Sequence, residues 1–354
     1  MILITGSAGL IGYNSSNFFL SKKFKVIGID NNKRKELFGP NSSVKKNINS
    51  LLKNKNYTHL NIDIHNTKKI ISILKENNIQ LIIHSAGQPS HDWSAHDPLT
   101  DFKINSISTI QILEAVRIYS PKTIFIFMST NKVYGDYVNN LQYKKFKYRY
   151  SINYQKYPHY KNGFDEKIPI DQSIHSPFGV SKTSSDLMVQ EYGRYFNLKT
   201  VCLRAGCLTG ENHLGAELHG FLSYLFKCAY YGKKYNVIGY GGRQVRDNLN
   251  ASDVSKIFYE IYKNPPEPGE VFNIGGGRDS CISILEAINK IQNLLEKEIN
   301  YKIYKNNRKG DHIYWVSDMT KFEKKYPGWK KSLLIDDTLL KMYEYERAKS
   351  TYKV

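Results

Sequence analysis

Three glycines, Gly6, Gly9 and Gly12, follow the apolar run Ile2-Leu3-Ile4-Thr5 and precede a helical pattern over 11–21. This order of strand, G-x-x-G-x-x-G turn and helix restricts the chain more than any other feature. The glycines permit a tight turn and close approach of backbone to a pyrophosphate, and the helix N-terminus adds N–H donors and the positive end of its dipole. Such a turn needs a parallel sheet beneath it. Apolar runs at 25–30, 59–62, 81–84, 124–129 and 200–203 read as buried strands, separated by helical patterns at 68–76, 102–119 and 181–196. The fold expected is α/β, a doubly wound parallel sheet of Rossmann type with a smaller, partly interleaved C-terminal substrate lobe. Residues 1–204 and 235–257 are assigned to the dinucleotide-binding domain, and 205–234 and 258–354 to the substrate lobe. The last third carries helical patterns at 216–231, 252–263, 283–295 and 333–346 and a strand near 235–238, while 31–56 and 137–162 read as loops.

Asp30 closes the second strand, at the spacing where a carboxylate accepts both adenosine ribose hydroxyls and repels a 2′-phosphate. That favours NAD over NADP, with Lys33 and Arg34 close behind able to soften the preference. Leu10, Ile11, Asn31, Asp63 and Ile64 are expected along the same cofactor, as are Ser85, Ala86 and Gly87 after the fourth strand. Asn105, a poor helix former inside a helical pattern, is expected to bond a neighbouring strand beside it.

The formal net charge is +19, yet no nucleic-acid-binding motif accompanies it. A basic surface with a site for an anionic diphosphate is the reading, with no nucleic-acid partner. No apolar run is long enough to span a membrane, and no leader precedes the first strand, so a cytoplasmic protein is expected. Cys202, Cys207, Cys228 and Cys281 form no CxxC pair, and no cluster has metal-ligand spacing, so no metal is expected.

The fifth strand runs into Ser129-Thr130-Asn131-Lys132-Val133-Tyr134-Gly135, and a later helix carries His175-Ser176-Pro177-Phe178-Gly179-Val180-Ser181-Lys182. With 162–166, Arg243-Gln244-Val245-Arg246-Asp247 and Asn273-Ile274-Gly275-Gly276, these stretches resemble the extended short-chain dehydrogenase/reductases that act on nucleotide sugars. Within them they are most similar to the CDP-paratose 2-epimerase family. The resemblance covers nearly the whole chain and implies a redox-neutral reaction on a CDP-sugar or other nucleotide sugar. NAD takes a hydride from a sugar carbon, here C2, and gives it back to the other face. It also implies a homodimer or tetramer paired through two helices, one of them 181–196.

In that family a tyrosine takes the hydroxyl proton and a lysine one helical turn later supports it. Lys182 matches the lysine, and Ser129 and Thr130 match the hydroxyl pair that holds the reacting oxygen. The tyrosine position holds Phe178, which has no exchangeable proton. Candidates for the absent base are His91 in the loop after the fourth strand, Asp165 and Glu166 on the 137–166 flap, and Lys182 acting through water or through Thr130. Sugar 4,6-dehydratases carry an acidic pair directly after the threonine; Asn131-Lys132 stands there instead, which disfavours dehydration. On the substrate side the resemblance implies Arg243, Arg246 and Arg308 on the diphosphate, Asp311 on ribose hydroxyls, and Lys132, Cys207 and Glu217 near sugar or base. The competing class is a catalytically silent binder of NAD or sugar nucleotide that lost activity with its tyrosine. The joint presence of Asp30, Thr130, Lys182 and the arginines favours the enzyme.

Overall fold

The computed structural model describes residues 1–217 and 219–351. Seven parallel strands form the central sheet: β1 (Ile2–Thr5), β2 (Val26–Ile29), β3 (Tyr57–Leu60), β4 (Leu81–His84), β5 (Ile124–Thr130), β6 (Thr200–Ala205) and β7 (Glu270–Ile274). Their order across the sheet is β7-β6-β5-β4-β1-β2-β3. The strands read as continuous apolar runs because both faces are covered. Ile2, Ile4, Ile126 and Leu203 pack in one layer with α1 (Leu10–Ser21) and α5 (Ala251–Lys263). Leu3, Ile82, Phe125 and Phe127 pack in the other, with α3 (Ser108–Tyr119) and α4 (Ser176–Arg194). The order reverses between β1 and β4, and a crevice outside the carboxyl ends of strands at such a switch point is where open α/β sheets bind ligands.

The smaller lobe is built around Val245–Asn250. This strand pairs antiparallel with Cys281–Ser283 and parallel with both Tyr314–Trp315 and Cys207–Thr209. Three helices, Phe221–Tyr230, Ile284–Leu295 and Ile335–Thr351, close over its core. Among the described residues no helix is long and apolar enough to cross a membrane.

The structure redraws the expected boundary in several places: Val245–Asn250, the centre of the small lobe, falls within the 235–257 stretch assigned to the dinucleotide domain, and α5 runs across the division expected after 257. Tyr235–Val237, assigned to the dinucleotide domain, pairs with Tyr301–Ile303 of the small lobe. Glu270–Ile274, assigned to the lobe, is β7 and pairs with β6 along its length. Both are short apolar runs whose lobe depends on a partner distant in sequence. The loop expected over 31–56 contains the helices Arg34–Phe38 and Lys45–Leu51, and the flap folds Tyr143–Lys145 against Tyr150–Ile152 as a hairpin. The helix expected from 102 widens to a π-turn over Lys103–Ile107, which buries Asn105. Single π-turns of this kind concentrate at functional sites.

One polar network fastens β5, β6 and β7 to α4. Arg204 on β6 donates from Nη2 to Asp186 Oδ1 at 2.8 Å and from Nε to Oδ2 at 3.1 Å, with both residues buried. Its Nη1 reaches the Tyr134 hydroxyl, which donates to Asn273 on β7 at 2.8 Å. Removing one partner of a buried ion pair strands the other charge. Arg204→Met is therefore expected to cost about 3–5 kcal/mol of stability, read as a lower denaturant midpoint at unchanged slope. A midpoint equal to that of the unsubstituted protein would show that the pair holds nothing together.

Candidate active site

The glycine turn after β1 is closed inside and open outward. Gly6 has φ +66, and a Cβ added there would lie 2.9 Å from the Ala86 backbone; one added at Gly12 would lie 2.1 Å from Gly6 O. At Gly9 an added Cβ would meet only Gly6 O, at 3.4 Å, so this side faces the crevice. The opening leads into a cavity of ≈ 520 Å³, within the roughly 300–1,000 Å³ of small-molecule and cofactor sites. Gly6, Gly9, Leu10, Ile11, Gly12, Asp30, Asn31, Asp63, Ile64, Ser85, Ala86, Gly87 and Asn105 all line it. The residues thus fit a dinucleotide: a bare backbone cradle at a helix N-terminus, with a carboxylate at the next strand end.

Asp30 is held by backbone N–H groups of Ala8 (3.0 Å) and Asn32 (2.8 Å), which leaves further oxygen lone pairs for ribose hydroxyls. The cations behind it have other partners. Lys33 lies 3.9 Å from Asp63, and Arg34 donates to Leu214 O at 2.8 Å and stacks on Phe38. Both nevertheless line the cavity with Asp30, as the expectation that they soften the choice against a 2′-phosphate requires. Asp63 also accepts from Asn31 and is paired with His65. Asn105 bonds the backbone of Gln88 through both amide atoms, pinning the loop after β4.

At the centre of the cavity stand Met128, Ser129, Thr130, Asn131, Lys132, Phe178, Lys182 and His91. Lys182 Nζ donates to Met128 O at 2.7 Å, and burial lowers its pKa to about 8. The Thr130 hydroxyl makes only long contacts, 3.3 Å to Lys132 N and 3.4 Å to Asn131 Oδ1, so it is available to a ligand. Ser129 is different: its hydroxyl donates to Asp186 at 2.5 Å and is spent on the network beneath the cavity. Its expected place on the reacting oxygen is corrected accordingly. Phe178 is buried at the head of α4, its backbone N–H held by Ser94 Oγ at 3.1 Å.

Two further corrections concern the flap. The side chain of Asp165 caps Lys167 N, and Glu166 accepts from Asn273 N at 2.6 Å. Neither lines the cavity, because Phe164 anchors this segment beside Ser317 on the small lobe. Arg243 likewise points away, bonding Lys147 O.

The opposite wall is cationic. Arg246 Nη2 donates to Asp311 Oδ1 at 2.8 Å and to His312 O at 2.6 Å, and Lys132 Nζ donates to the same Asp311 oxygen at 3.0 Å. Burial would raise the Asp311 pKa, but Arg246 and Lys132 hold it well below the usual carboxylate range. Both cations bond the same oxygen of Asp311, which lines the cavity, so its other oxygen keeps lone pairs for the expected ribose hydroxyls. Arg308 lies 3.7 Å from Asp92. Cys207 is a cavity residue whose thiol burial pushes up to about 12, so it stays neutral. Glu217 accepts from Asn236 at 2.6 Å at the cavity margin. Sequence reasoning missed Tyr235, Asn236 and Ile238, which line the cavity from the small lobe; no local motif marks them. It also missed Asp186, although Asp186 stands one turn after Lys182 on the same buried face of α4.

Two outcomes follow. NAD should bind more tightly than NADP, and Asp30→Ala should narrow the difference; equal affinity of the unsubstituted protein for both, by calorimetry, would defeat this role. Arg246→Ala should weaken nucleotide-sugar binding by about 1.5–3 kcal/mol and leave NAD affinity unchanged. Unaltered sugar-nucleotide affinity would misplace the anion site.

The comparisons place the chain among known proteins. The chain is 30% identical over 353 residues to a CDP-paratose 2-epimerase of Salmonella typhi, covering 97% of this chain and 98% of that protein. Among solved structures it resembles a UDP-glucuronic acid 4-epimerase from Bacillus cereus crystallised with UDP-glucuronic acid and NAD. There the TM-score is 0.80 at 24% identity, over 98% of this chain and 99% of that one. It also resembles a UDP-glucose 4-epimerase from Thermotoga maritima, with a TM-score of 0.77 at 25% identity and 99% of each chain covered. The model of the NAD dependent epimerase/dehydratase family matches residues 2–275, and the chain belongs to that family, with NAD as its cofactor.

Proposed function

We propose that the protein epimerises a CDP-hexose or CDP-deoxyhexose at C2 through a transient keto sugar. One observation carries the reading: a single cavity joins the dinucleotide cradle to a cationic wall, and Thr130 and Lys182 stand between them. The wall sets three cations, Lys132, Arg246 and Arg308, against two carboxylates, Asp92 and Asp311, a surplus that suits a diphosphate. The CDP base and C2 position are supported by the relative from Salmonella typhi, whose name carries both and which this chain matches end to end.

NAD, when bound, supplies the acceptor and later the donor of the hydride. The chain's residues do the rest. Lys182 places a buried charge beside the reacting centre, fixed by Met128 O. Thr130 offers its hydroxyl to the reacting sugar oxygen. Asn131 and Lys132 put no acid where a dehydratase would need one, since Lys132 is a cation bonded to Asp311. Because hydride leaves and returns within one pocket, the reaction consumes no net NAD.

The test is incubation with CDP-, UDP- and GDP-sugars in D₂O, followed by NMR. Expected is inversion at C2 of a CDP-sugar, with no solvent deuterium at that carbon and no net accumulation of NADH. Loss of water from the sugar, or stoichiometric NADH, would overturn the epimerase reading; inversion at another carbon or on another nucleotide would move its substrate.

A further inference from the structure

We propose that His91 takes the sugar hydroxyl proton that a tyrosine at position 178 would take, and returns it in the second half of the cycle. This rests on the epimerase reading above. Removing hydride from a neutral alcohol leaves a protonated ketone of high energy, so some group within hydrogen-bond reach must accept the O–H proton. Phe178 cannot do so.

The placement of His91 is tied to that of Phe178. His91 opens the short helix α2 (His91–His96), which begins at the Ser90 cap, where Trp93 N donates to Ser90 Oγ at 3.2 Å. One turn on, Ser94 Oγ donates to His91 O at 2.8 Å and accepts from Phe178 N at 3.1 Å. The same hydroxyl therefore fixes the backbone of both residues, and both line the cavity with Thr130 and Lys182. Among the described residues His91 Nε2 is buried without a hydrogen-bond partner, as are side-chain atoms of Thr209, His213, His219, Gln244 and Asn248 on the same cavity. Buried polar atoms are nearly always bonded, so an orphan in a ligand cavity marks where a ligand atom belongs. Gly310 of the 308–311 loop packs against it: a Cβ added there would stand 3.4 Å from Nε2.

The charges around the ring balance. Lys132 from the segment after β5 and Arg308 from the 308–311 loop oppose Asp311 of that loop and Asp92 of the ring's own helix. Burial, with Lys132, lowers the His91 pKa below its ordinary value. The ring is neutral at pH 7, and Nε2 is free to accept a proton. The other groups are committed. Asp165 and Glu166 lie outside the cavity, Lys182 is pinned to Met128 O, and the Cys207 thiol is pushed up to about 12 by burial. Tyr235 is raised by burial among Arg308, Cys228, Tyr224 and Glu217 of the small lobe.

In the forward half the O–H proton passes to Nε2 as the C–H electron pair leaves as hydride to NAD, and the carbon–oxygen double bond forms. In the return half hydride adds to the opposite face of that carbon, and Nε2–H gives the proton back to the oxygen. Atoms and charge balance over the cycle with no further reactant.

The experiment compares the unsubstituted holoenzyme with His91→Ala, His91→Gln, Phe178→Tyr and His91→Ala/Phe178→Tyr on the CDP-sugar that the panel identifies. Turnover of both histidine variants should fall about 10²-fold or more at nearly constant KM. The acidic limb of the kcat profile should disappear in His91→Gln, and the double variant should regain turnover through its new hydroxyl beside Lys182. By NMR the His91 ring should titrate below about 6.5. Undiminished turnover in the histidine variants overturns the proton role. A rise confined to KM also overturns it and makes His91 a substrate contact. A holoenzyme that inverts no sugar overturns the epimerase reading and this one together, whereas a working enzyme indifferent to His91 overturns this one alone.

Discussion

Asp186 is a carboxylate buried under the floor of the active-site cavity, and the geometry above it depends on how its charge is satisfied. Arg204 meets it through two nitrogens, Ser129 donates from β5, and Gln190 donates from one turn further along α4. An unpaired carboxylate in that position would be costly enough to rearrange its surroundings. Paired, it locks helix α4 to strands β5 and β6 at the level where Lys182 and Thr130 emerge. The Tyr134–Asn273 bond carries the lock to β7, and Glu166 completes it from the flap. Ser129 and Glu166 are thus positioning residues: they touch what holds the site.

The cavity divides its electrostatic work along its length. At the cradle end the proposed dinucleotide contacts are backbone N–H groups and the Asp30 carboxylate, with Lys33, Arg34 and Asp63 also on the cavity wall. At the other end, cations outnumber carboxylates and Asp311 holds two of them in register. His91 Nε2 is one of several buried polar atoms along the cavity with no partner among the described residues, beside those of Thr209, His213, His219, Gln244 and Asn248. On the proposed reading, the cavity's permanent bonds would keep cofactor and diphosphate still while His91 serves the atom that changes.

Much of the fold was legible because parallel strands buried on both faces read as plain apolar runs. The glycine turn, the first six strands of the sheet and the main helices fall close to where the pattern puts them, within a few residues at the ends. β7 and Tyr235–Val237 were placed in the wrong lobes, since a three- to five-residue run carries no mark of its partner. The helices in 31–56 were hidden because their residues are mostly polar and, of them, only Leu51 is buried. Arg243, Asp165 and Glu166 sat in matching segments, but a motif fixes the backbone path and not the direction of each side chain.

The sequence by itself determined the groups at hand: a glycine turn at Gly6–Gly12, a carboxylate at Asp30 where the second strand ends, a lysine at Lys182 with Phe178 in place of a tyrosine, and no acid at Asn131-Lys132. Each is a local matter of residue type and spacing. Tertiary structure decided which of these groups share a space. It turned Ser129 down toward Asp186, gave Asp311 to two cations, and moved the flap carboxylates out of the cavity. It also brought Phe178 to the hydroxyl of Ser94, 84 residues earlier in the chain, which holds His91 locally. The physical reason is that burial periodicity reports only one residue's own environment, whereas a proton acceptor is defined by what lies within about 3 Å of it, and that distance is set by packing between elements far apart in sequence.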